Sequence, residues 1–579
     1  MADLSNTAIA DAFDELADLY ELDGAVVHRV LAYRTAAKNV RNATVSVAEL
    51  TKQGRVTSLP GIGKTLEEKI RAMVDTGTIP ALGKLRDRIP PGLAAITRLP
   101  GVGPKRVRTM YDQLGIDSIE ALREAAETGR LRDAKGFGPK FEESVLAALD
   151  AGAADRPAQR TVLPTALEVG EQVAEALRAH PAAVHVEIAG SARRLADSVK
   201  DLDIVAAATD PAALAAALAD VDALESAGTA GENAARGRAH NGLGIDLRVV
   251  EPDQFGNLLQ HFTGSARHNV ALREAAVRRG VHISEYGILD DETGETTRCA
   301  TEEEVYERLG MPWIPPELRE DRGELAKGFE VPRLVTVEDL RGDLHCHTTL
   351  SDGRSTLEEM ARAAQARGYE YLAITDHSAT HGFGDHVTPD ELRRQIERVR
   401  ALDDEIDGMH LLVGTETNIL PDGRPDYDDE LLAELDWVVG SVHTSFNMTE
   451  KNMTARMVAA TEHPWIDAIG HPTGRKIAKR EPYKVDIDAL IEAAARTGTM
   501  LEINGAPDRR DLDDVHARAA AEAGVNILID SDAHGAERLE HVKWAVATAR
   551  RAWLGPEQIA NTRSWKAFAG LRKRAKAAA

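Results

Sequence analysis

The chain contains 579 residues, of which 43% are hydrophobic and 28% charged, and its net charge is −24. At roughly 100–200 residues per domain, this length predicts several domains that each bury a core. With only Cys299 and Cys346, the chain has neither a disulfide framework nor a cysteine-rich zinc ribbon. No apolar run approaches the ~18 residues of a membrane span, and the N-terminus lacks a signal pattern. We therefore expect a soluble cytoplasmic protein.

The charge is unevenly distributed along the chain. Net acidity argues against a nucleic-acid partner, yet residues 1–150 contain 21 basic and 21 acidic residues, so the excess of carboxylates lies downstream. Histidine is uneven as well, because 12 of the 19 histidines follow residue 340. This concentration indicates a metal-using C-terminal domain.

Three glycine turns recur in the N-terminal part: LPGIG (59–63), LPGVG (99–103) and KGFG (135–138). Each turn precedes a lysine and an amphipathic helix. Glycines permit such tight turns and let backbone N–H groups approach a phosphate without reading bases. One glycine alone could be a helix C-cap, but three repeats favour non-specific DNA binding. The candidate contacts are Gly61, Gly63, Gly101, Gly103, Lys105, Gly136 and Gly138.

A carboxylate pattern follows in GSARRLADSVKDLDIVA. Asp201 and Asp203 are two apart on a predicted strand, so their side chains face the same way, and Asp246 on a later predicted strand could add a third carboxylate. Like charges repel, which makes this arrangement poor as structure but suitable for two Mg²⁺ ions. Ser191 and Arg194, in a glycine-led turn, could hold the phosphates of a nucleotide. The alternative is a DxD pattern on a solvated surface.

After residue 341, short apolar runs alternate with amphipathic helices, which predicts a parallel barrel or a doubly wound sheet. Nearly every run ends in His, Asp or Glu, and in a barrel the carboxyl ends of strands converge on one mouth. Histidines and carboxylates without thiolates suit zinc or manganese. Cys346 is expected to point into the core. The candidate ligands are His345, His347, Asp352, His377, Glu416, His443, His471, Asp532 and His534.

The first set of motifs resembles the family X DNA polymerases. GSARRLADSVKDLDIVA resembles their nucleotidyltransferase palm, and FTGSARHNVALR and SEYGIL resemble their thumb, so that the likeness covers roughly residues 1–315. The resemblance implies that Asp201, Asp203 and Asp246 bind two Mg²⁺ and that Asp246 activates the primer 3′-hydroxyl. It further implies nucleotide or template contacts from Gly190, Ser191, Arg194, Phe262, Gly264, Asn269 and Arg273.

The glycine turns resemble helix–hairpin–helix elements of the same family. In PGIGKTLEEKI, Lys69 aligns with the lysine that relatives use as a Schiff-base nucleophile against a 5′-deoxyribose phosphate. Such a lysine needs a lowered pKa, whereas Glu67 and Glu68 adjoin this one. The sequence therefore favours the alternative of a solvated helical lysine.

The second set of motifs, HCH, TDH, GTE, SVH, GHP and SDAH, resembles the PHP (polymerase and histidinol phosphatase) domain from residue 341 to about residue 560. The resemblance implies a distorted barrel whose cluster of three Mn²⁺ or Zn²⁺ ions hydrolyses phosphate esters. His381, His386, His410, His463, His516 and His541 lie outside these motifs and are expected at the surface or in the core.

Together the resemblances predict a multidomain α/β protein with a helical helix–hairpin–helix N-terminal region, a palm and thumb, and a C-terminal PHP barrel. The expected domains are 1–85 (lyase-like), 86–155 (fingers), 156–255 (palm), 256–315 (thumb), 316–340 (linker) and 341–573 (PHP). The expected function is gap-filling DNA synthesis in repair with a Mn²⁺-dependent 3′→5′ exonuclease or 3′-end phosphoesterase, an abasic-site endonuclease being a further alternative. The expected partners are gapped or nicked DNA with a primer 3′ end and dNTPs, for a monomer without membrane attachment.

Two other functions are compatible with parts of the sequence. One is a phosphoesterase for a small substrate such as histidinol phosphate, which the hairpins and the palm motif oppose. The other is a DNA-binding scaffold with decayed sites, which the presence of Asp201, Asp203, Asp246 and all nine barrel residues opposes.

Overall fold

A computed structural model describes residues 4–90, 92–97, 99, 101–134, 136–150, 160–382 and 387–573. The chain forms two compact units. The first comprises Met1–Thr161, Thr165–Ile188 and Lys200–Pro252, and the second comprises Val162–Pro164, Ala189–Val199 and Asp253–Ala579. Among the described residues, no helix combines the length and the apolar composition that crossing a bilayer requires.

The described part of residues 4–150 is helical and shares one apolar core that extends from Ile9 to Leu149. Serines begin several helices, because the side chains of Ser5, Ser46 and Ser118 accept hydrogen bonds from backbone N–H groups of the first turn. The helices are α1 (Asn6–Leu22), α2 (Val27–Asn42), α3 (Val47–Lys52), α4 (Lys64–Thr76), α5 (Pro80–Arg86), α6 (Gly92–Ile96), α7 (Pro104–Leu114), α8 (Ile119–Glu127) and α9 (Pro139–Asp150).

Residues 160–252 supply a five-stranded sheet with the order β2-β4-β7-β6-β5. Strands β4 and β7 are parallel, and the other pairs are antiparallel. The elements are β1 (Thr161–Val162), α10 (Leu163–Arg178), β2 (Ala183–Ile188), α11 (Gly190–Arg193), β3 (Ser198–Val199), β4 (Asp201–Ala208), α12 (Pro211–Ala216), β5 (Leu224–Gly231), β6 (Ala234–Ala239) and β7 (Gly244–Val250).

Residues 253–340 form a small α/β region with its own core. Its elements are α13 (Phe255–Thr263), α14 (Ala266–Val277), β8 (Val281–Ser284), β9 (Gly287–Asp290), β10 (Thr296–Thr297) and α15 (Glu302–Arg308). The segment expected as a linker packs onto this core: Leu318 and Arg319 are fully buried, and Arg319 pairs with Glu302 at 2.7 Å.

The described residues between 341 and 573 form a barrel of seven parallel strands in chain order, with helices between them. The strands are β11 (Gly342–Asp343), β12 (Tyr371–Ile374), β13 (His410–Asn418), β14 (Trp437–Ser441), β15 (Ala468–Ile469), β16 (Met500–Asn504) and β17 (Ile527–Asp530). The helices are α16 (Leu357–Ala366), α17 (Pro389–Glu405), α18 (Asp429–Ala433), α19 (Glu450–Glu462), α20 (Ile487–Thr497), α21 (Asp514–Glu522), α22 (Val542–Arg551) and α23 (Trp565–Ala569).

Aromatic residues close the end of the barrel at which the strands begin. Tyr371 and Trp437 are the first residues of β12 and β14. The ring of Phe568, from α23, stacks on Tyr371 at 4.8 Å and lies 5.6 Å from Trp437. Since this end is filled, the polar strand ends at the other end form the accessible mouth.

Side-chain hydrogen bonds join the first and last strands, β11 and β17. The amide of Asn561 donates to the carbonyl oxygens of Gly342 at 2.9 Å and Ile529 at 2.6 Å, and its oxygen accepts from the Ile529 N–H at 3.1 Å. Leu344 N–H donates to Asp530 at 2.8 Å, and Ser531 N–H donates to Asp343 at 3.2 Å. These bonds satisfy backbone groups that a continuous ladder would otherwise pair.

We expect Asn561→Ala to lower the free energy of unfolding of the barrel by about 2–4 kcal/mol, because it leaves buried backbone groups unpaired. Urea unfolding followed by tryptophan fluorescence measures the change. Asn452→Ala, at an exposed position of α19, is the matched control and should leave the midpoint unchanged. Equal midpoints for Asn561→Ala and the parent would contradict this account of closure.

Candidate functional sites

All nine side chains that the sequence predicts as barrel ligands lie at the mouth. His345 and His347 follow β11 rather than lying within it, because that strand ends at Asp343. Seven of the nine are buried, and Asp352 and His534 are partly exposed. The nine are His345, His347, Asp352, His377, Glu416, His443, His471, Asp532 and His534.

The carboxylate of Glu416 lies at the centre of this group. Glu416 is on β13, the third of seven strands, and is 1% exposed. Five histidines approach its oxygens: His377 at 2.8 Å, His471 at 2.9 Å, His443 at 3.2 Å, His345 at 3.3 Å and His347 at 3.6 Å. One carboxylate therefore faces the histidines of four other strand ends.

Two further carboxylates complete the cluster. Asp532 lies 3.2 Å from Nε2 of His347. Asp352 lies 3.3 Å from Nε2 of His534 and 3.6 Å from Nε2 of His377. Histidine rings thus alternate with carboxylates across the mouth.

The donors fit divalent cations. They form three groups with ligand atoms within 4.8 Å of one another, linked through His347 and His377. Nε2 of His345 and of His347 are buried without a well-oriented hydrogen bond among the described residues, as expected of atoms that face a cation. Imidazole nitrogens and carboxylate oxygens suit zinc and manganese. The three groups are His347/Asp352/His377/His534, His345/His347/Asp532 and His377/Glu416/His443.

Burial and neighbouring charges together determine which side chains at the mouth are protonated. Burial alone would raise the pKa of Glu416, but the charges of His443 and His345 hold it well below its usual range. Burial lowers the pKa of His347 and of His471 to about 3, which keeps both rings neutral and able to donate a lone pair. Burial opposes the charge on His534 too, yet its hydrogen bond to Asp352 raises its pKa to about 9.

Several groups at the mouth were missed by the sequence analysis. Glu502 accepts from Nδ1 of His345 at 2.6 Å, which fixes that ring. Asn504 donates to Asp532 at 3.1 Å, and Arg509 approaches Asp532 at 3.5 Å. His381, expected at the surface or in the core, is fully buried with its ring 4.7 Å from that of His377. Glu502 is an acidic residue in a short apolar run, on β16, like the predicted ligands at the other strand ends. The same pattern could therefore have identified it.

In the first unit, the predicted palm carboxylates lie together. Asp203 on β4 is directly opposite Asp246 on the parallel strand β7, and Asp201 is on the same face of β4. Asp201 is exposed, and the other two are half-buried. Arg236 and Arg248 contact Asp246 at 3.1 and 2.8 Å, which offsets part of the negative charge.

In the second unit, the expected nucleotide residues are held by polar contacts. Gly190 begins α11 with φ +62°, and Ser191 follows it. Arg194 donates to the carbonyl oxygen of Thr263 at 2.6 Å and to Glu320 at 3.1 Å. A Cβ at Gly264 would lie 3.3 Å from the Arg194 guanidinium, so this glycine permits a close approach.

The other expected contacts lie on α13 and α14. Asn269 donates to the carbonyl oxygen of His261 at 2.7 Å and accepts from Gln260 at 3.0 Å, which fixes its amide. Phe262 is half-buried, and Arg273 is exposed.

Three arginines of the barrel region hold residues 194–197, an arrangement that the sequence analysis did not anticipate. Arg510 is fully buried and donates to the carbonyl oxygens of Leu195 at 3.0 Å and Ala196 at 3.1 Å. Arg551 donates to the carbonyl oxygen of Arg194 at 2.7 Å, and Arg475 pairs with Asp197 at 2.8 Å. The segment that contains the expected triphosphate residues is thus bound through its backbone. The donors are Arg475, Arg510 and Arg551, and the acceptors are Arg194, Leu195, Ala196 and Asp197.

The glycine turns have the conformation that the hairpins require. Gly61, Gly101 and Gly136 have φ of +75°, +76° and +98°, in the left-handed region that glycine favours. A Cβ at Gly103 would meet no atom within 4 Å, and Gly103 directly precedes α7. The remaining predicted contacts are Gly63 and Lys105, which are exposed, and Gly138, which is partly exposed.

Family models match the helical N-terminal residues, the region that follows the five-stranded sheet, and the barrel. The helix–hairpin–helix domain model matches residues 5–79, and the SAM-like helix–hairpin–helix tandem matches 93–151. The DNA polymerase beta thumb matches 258–320, and the PHP domain matches 343–506.

Relatives include proteins similar to part of this chain and a protein similar to nearly all of it. A probable phosphatase of Caldanaerobacter subterraneus subsp. tengcongensis is 33% identical over 33% of this chain and 75% of its own length. A probable phosphatase of Syntrophotalea carbinolica is 30% identical over 38% of this chain and 90% of its own length. The DNA polymerase/3′-5′ exonuclease PolX of Bacillus subtilis strain 168 is 37% identical over 97% of this chain and 98% of its own. Because that likeness spans nearly both chains, the protein belongs to the family X DNA polymerases that carry a C-terminal PHP domain.

Proposed function

We propose that the protein extends primer 3′ ends in short DNA gaps with dNTPs and that its PHP domain hydrolyses 3′-terminal phosphodiesters. The observation that carries the proposal is the position of Asp203 directly opposite Asp246 on parallel strands. A second set of ligands, different in chemistry, lies in the barrel of the same chain. Repair of DNA gaps is the role that suits one site for adding nucleotides and another for removing them.

In the palm, Asp201, Asp203 and Asp246 would hold two Mg²⁺ ions. Carboxylates on adjacent strands repel one another, and bound cations relieve that repulsion. Magnesium at this site would supply Lewis-acid stabilisation of the charge on phosphate oxygens. Asp246 would accept the proton of the primer 3′-hydroxyl, a role that suits its half-buried position directly opposite Asp203.

The dNTP would contact residues of the second unit. Arg194 offers a guanidinium held in place by Thr263 and Glu320, suited to a triphosphate. The fixed amide of Asn269 would orient toward the sugar and base, and exposed Arg273 toward the template strand. The full proposed set is Gly190, Ser191, Arg194, Phe262, Gly264, Asn269 and Arg273.

The N-terminal hairpins would bind the DNA backbone. Their exposed glycines leave backbone N–H groups accessible, and Lys105 adds a local positive charge in an acidic chain. Such contacts are independent of sequence, which suits gapped or nicked DNA of any composition. We infer a monomer that acts in the cytoplasm on chromosomal gaps.

In the PHP domain, the nine mouth residues would hold Mn²⁺ or Zn²⁺, with three ions suggested by the three ligand groups. Bound cations would supply charge stabilisation for a phosphodiester that reacts with water. The chain's own groups prepare the site: Glu502 orients His345, and Arg509 places a positive charge beside Asp532. The same arrangement could act on an abasic site or a 3′-phosphate.

A second candidate function of the barrel is hydrolysis of small phosphate monoesters. The specific observation in its favour is that proteins similar to 33% and 38% of this chain are named probable phosphatases. Release of inorganic phosphate from a free mononucleotide, compared with release of nucleotides from a DNA 3′ end, distinguishes the two.

The proposed lyase lysine stays a prediction. Lys69 lies half-buried in α4, one residue before the fully buried Ile70. Glu67, on the same helix, pairs with Arg71 at 3.1 Å. Borohydride trapping of a 5′-deoxyribose phosphate would decide between a Schiff-base lysine and a solvated one.

We expect Asp203→Ala to reduce primer extension by at least about 100-fold while leaving 3′-end hydrolysis intact, because it removes one ligand of the palm cations. Asp532→Ala should instead reduce 3′-end hydrolysis, leave primer extension intact and lower the bound metal content. A labelled-primer gel on gapped DNA, with metal analysis of each protein, measures both effects. Asp220→Ala and Asp488→Ala, at exposed positions, are the matched controls. Normal dNTP addition by Asp203→Ala would refute the palm assignment.

We expect Gly103→Ala to weaken binding to gapped DNA several-fold, because a methyl group would obstruct the approach of a phosphate. The backbone at Gly103 has φ −78° and tolerates alanine, so the fold should persist. Gly83→Ala, inside α5 with equal free space, is the control. Fluorescence anisotropy across a salt series measures affinity, which should fall steeply with salt. Equal affinities of Gly103→Ala and the parent would show that this turn is only structural.

A further inference from the structure

Buried polar side chains connect the segment expected as a linker to Asn269 on α14. The first of them is Glu324, which is 1% exposed. Its carboxylate accepts hydrogen bonds from two backbone N–H groups of its own turn at 2.8 and 2.7 Å, and it lies 2.7 Å from Nδ1 of His268. Glu324 therefore joins this turn to the helix that contains the expected nucleotide contact.

The connection continues through His268 and Tyr306, which are both fully buried. Nε2 of His268 lies 2.9 Å from the hydroxyl of Tyr306, and that hydroxyl also forms a hydrogen bond with Gln260. The amide nitrogen of Gln260 donates to Oδ1 of Asn269 at 3.0 Å. We call these five hydrogen-bonded side chains the polar series: Glu324, His268, Tyr306, Gln260 and Asn269.

Charge at the Glu324 end sets the direction of the hydrogen bonds. Burial alone would raise the pKa of Glu324, but its hydrogen bonds with His268 and with backbone N–H groups lower it. Burial lowers the pKa of His268, which keeps its ring neutral. A neutral imidazole carries one N–H, which here belongs on Nδ1 because that atom faces a carboxylate. Nε2 then accepts from the Tyr306 hydroxyl, and the hydroxyl oxygen accepts from Gln260.

The other end of the polar series determines how the amide of Asn269 is oriented. Its oxygen faces the NH₂ group of Gln260, and its nitrogen donates to the carbonyl oxygen of His261 at 2.7 Å. In the opposite orientation, two NH₂ groups would face each other. Because an amide nitrogen carries two hydrogens, Asn269 has a second N–H with which to bind a ligand.

We propose that Glu324 is a positioning residue for nucleotide addition, which acts through the polar series to direct an N–H of Asn269 at the base of the incoming dNTP. Every natural base has an acceptor at its minor-groove edge, N3 in purines and O2 in pyrimidines. A donor held in one orientation would therefore contact all four dNTPs alike, as copying any template requires. The proposal rests on the proposed contact of Asn269 with the nucleotide and adds the residues that orient it.

Two substitutions would release this orientation with little change in volume. In Glu324→Gln, the new amide can donate to Nδ1 of His268, which would move the ring proton to Nε2. Tyr306 would then accept from His268 and turn its own proton toward Gln260, which favours the opposite orientation of that amide. Tyr306→Phe keeps the buried ring and removes the hydroxyl that holds Gln260.

The test compares two nucleotides in a one-nucleotide gap opposite thymine: dATP and 3-deaza-2′-deoxyadenosine triphosphate, which has C–H in place of N3. In the parent, we expect kcat/KM to be about 10-fold higher for dATP, as one hydrogen bond provides. In Glu324→Gln and Tyr306→Phe, the KM for dATP should rise about 5- to 10-fold, with kcat within about twofold. The KM for the analogue should not change.

Glu317→Gln and Tyr371→Phe are the matched controls, because each removes a buried hydrogen bond outside the polar series. Glu317, on the same expected linker, accepts from Arg550 at 2.6 Å, and the hydroxyl of Tyr371 donates to the carbonyl oxygen of Arg563 at 3.0 Å. Both controls should keep the parent's preference for dATP. Thermal melting of each variant checks that it is folded, and Tyr306→Phe decides the question if Glu324→Gln is not.

The variant Asn269→Ala shows whether Glu324 acts through Asn269. Asn269→Ala should lose the preference for dATP, and adding Glu324→Gln to it should change kcat/KM for dATP by less than about twofold. Independent losses that multiply would overturn the proposal, as would a preference equal to the parent's in Glu324→Gln and Tyr306→Phe. Equal losses with both nucleotides would indicate a merely structural role and would also overturn it.

The outcomes separate this proposal from the proposed function. If the parent does not fill the gap, the polymerase assignment fails, and the positioning role of Glu324 fails with it. If the parent fills the gap but does not prefer dATP to the analogue, or if Asn269→Ala keeps the preference, the donor role of Asn269 is wrong. This proposal is then overturned, while gap filling stands.

Discussion

The barrel mouth depends on the attraction between the Glu416 carboxylate and the five histidines around it. Seven strands deliver polar side chains to one place, where burial would otherwise penalise each charge separately. Since Glu416 extends from the third strand toward the ends of four others, its charge offsets the cost of gathering them. The rings that burial keeps neutral, including His347 and His471, remain able to bind cations.

The two candidate metal sites of the chain differ in how they would hold cations. The five-stranded sheet places three carboxylates on one face of β4 and β7, where Asp201 is exposed, so water would reach ions bound there. Magnesium keeps several waters and needs few protein ligands, so such a site suits ions that enter with the nucleotide. The barrel surrounds its donors with protein and fixes His345 through Glu502, which suits ions that stay bound between reactions.

Much of this arrangement could be predicted from the sequence because the signals are local. Asp201 and Asp203 alternate on a strand, and the barrel ligands follow apolar runs, so spacing alone placed them on one face or at one mouth. Arg510 gives no such signal, since its carbonyl partners lie 314 and 315 residues away. Composition also predicted the end of a domain and a linker around Arg319, whereas Leu318 and Arg319 are fully buried and Arg319 pairs with Glu302.

The binding of residues 194–197 by arginines from the barrel region has a consequence for how this chain can be shortened or recombined. A gene fragment that ends before residue 341 would encode the segment with Gly190 and Ser191 but not the side chains that pair with the carbonyl oxygens following it. Those carbonyl oxygens would form hydrogen bonds with water instead, and the backbone of residues 194–197 would no longer be held in one conformation. Selection would then preserve Arg510 and Arg551 even in a descendant whose barrel had lost every metal ligand. An inactive barrel would then remain in such a lineage because it holds residues 194–197 in position for nucleotide addition.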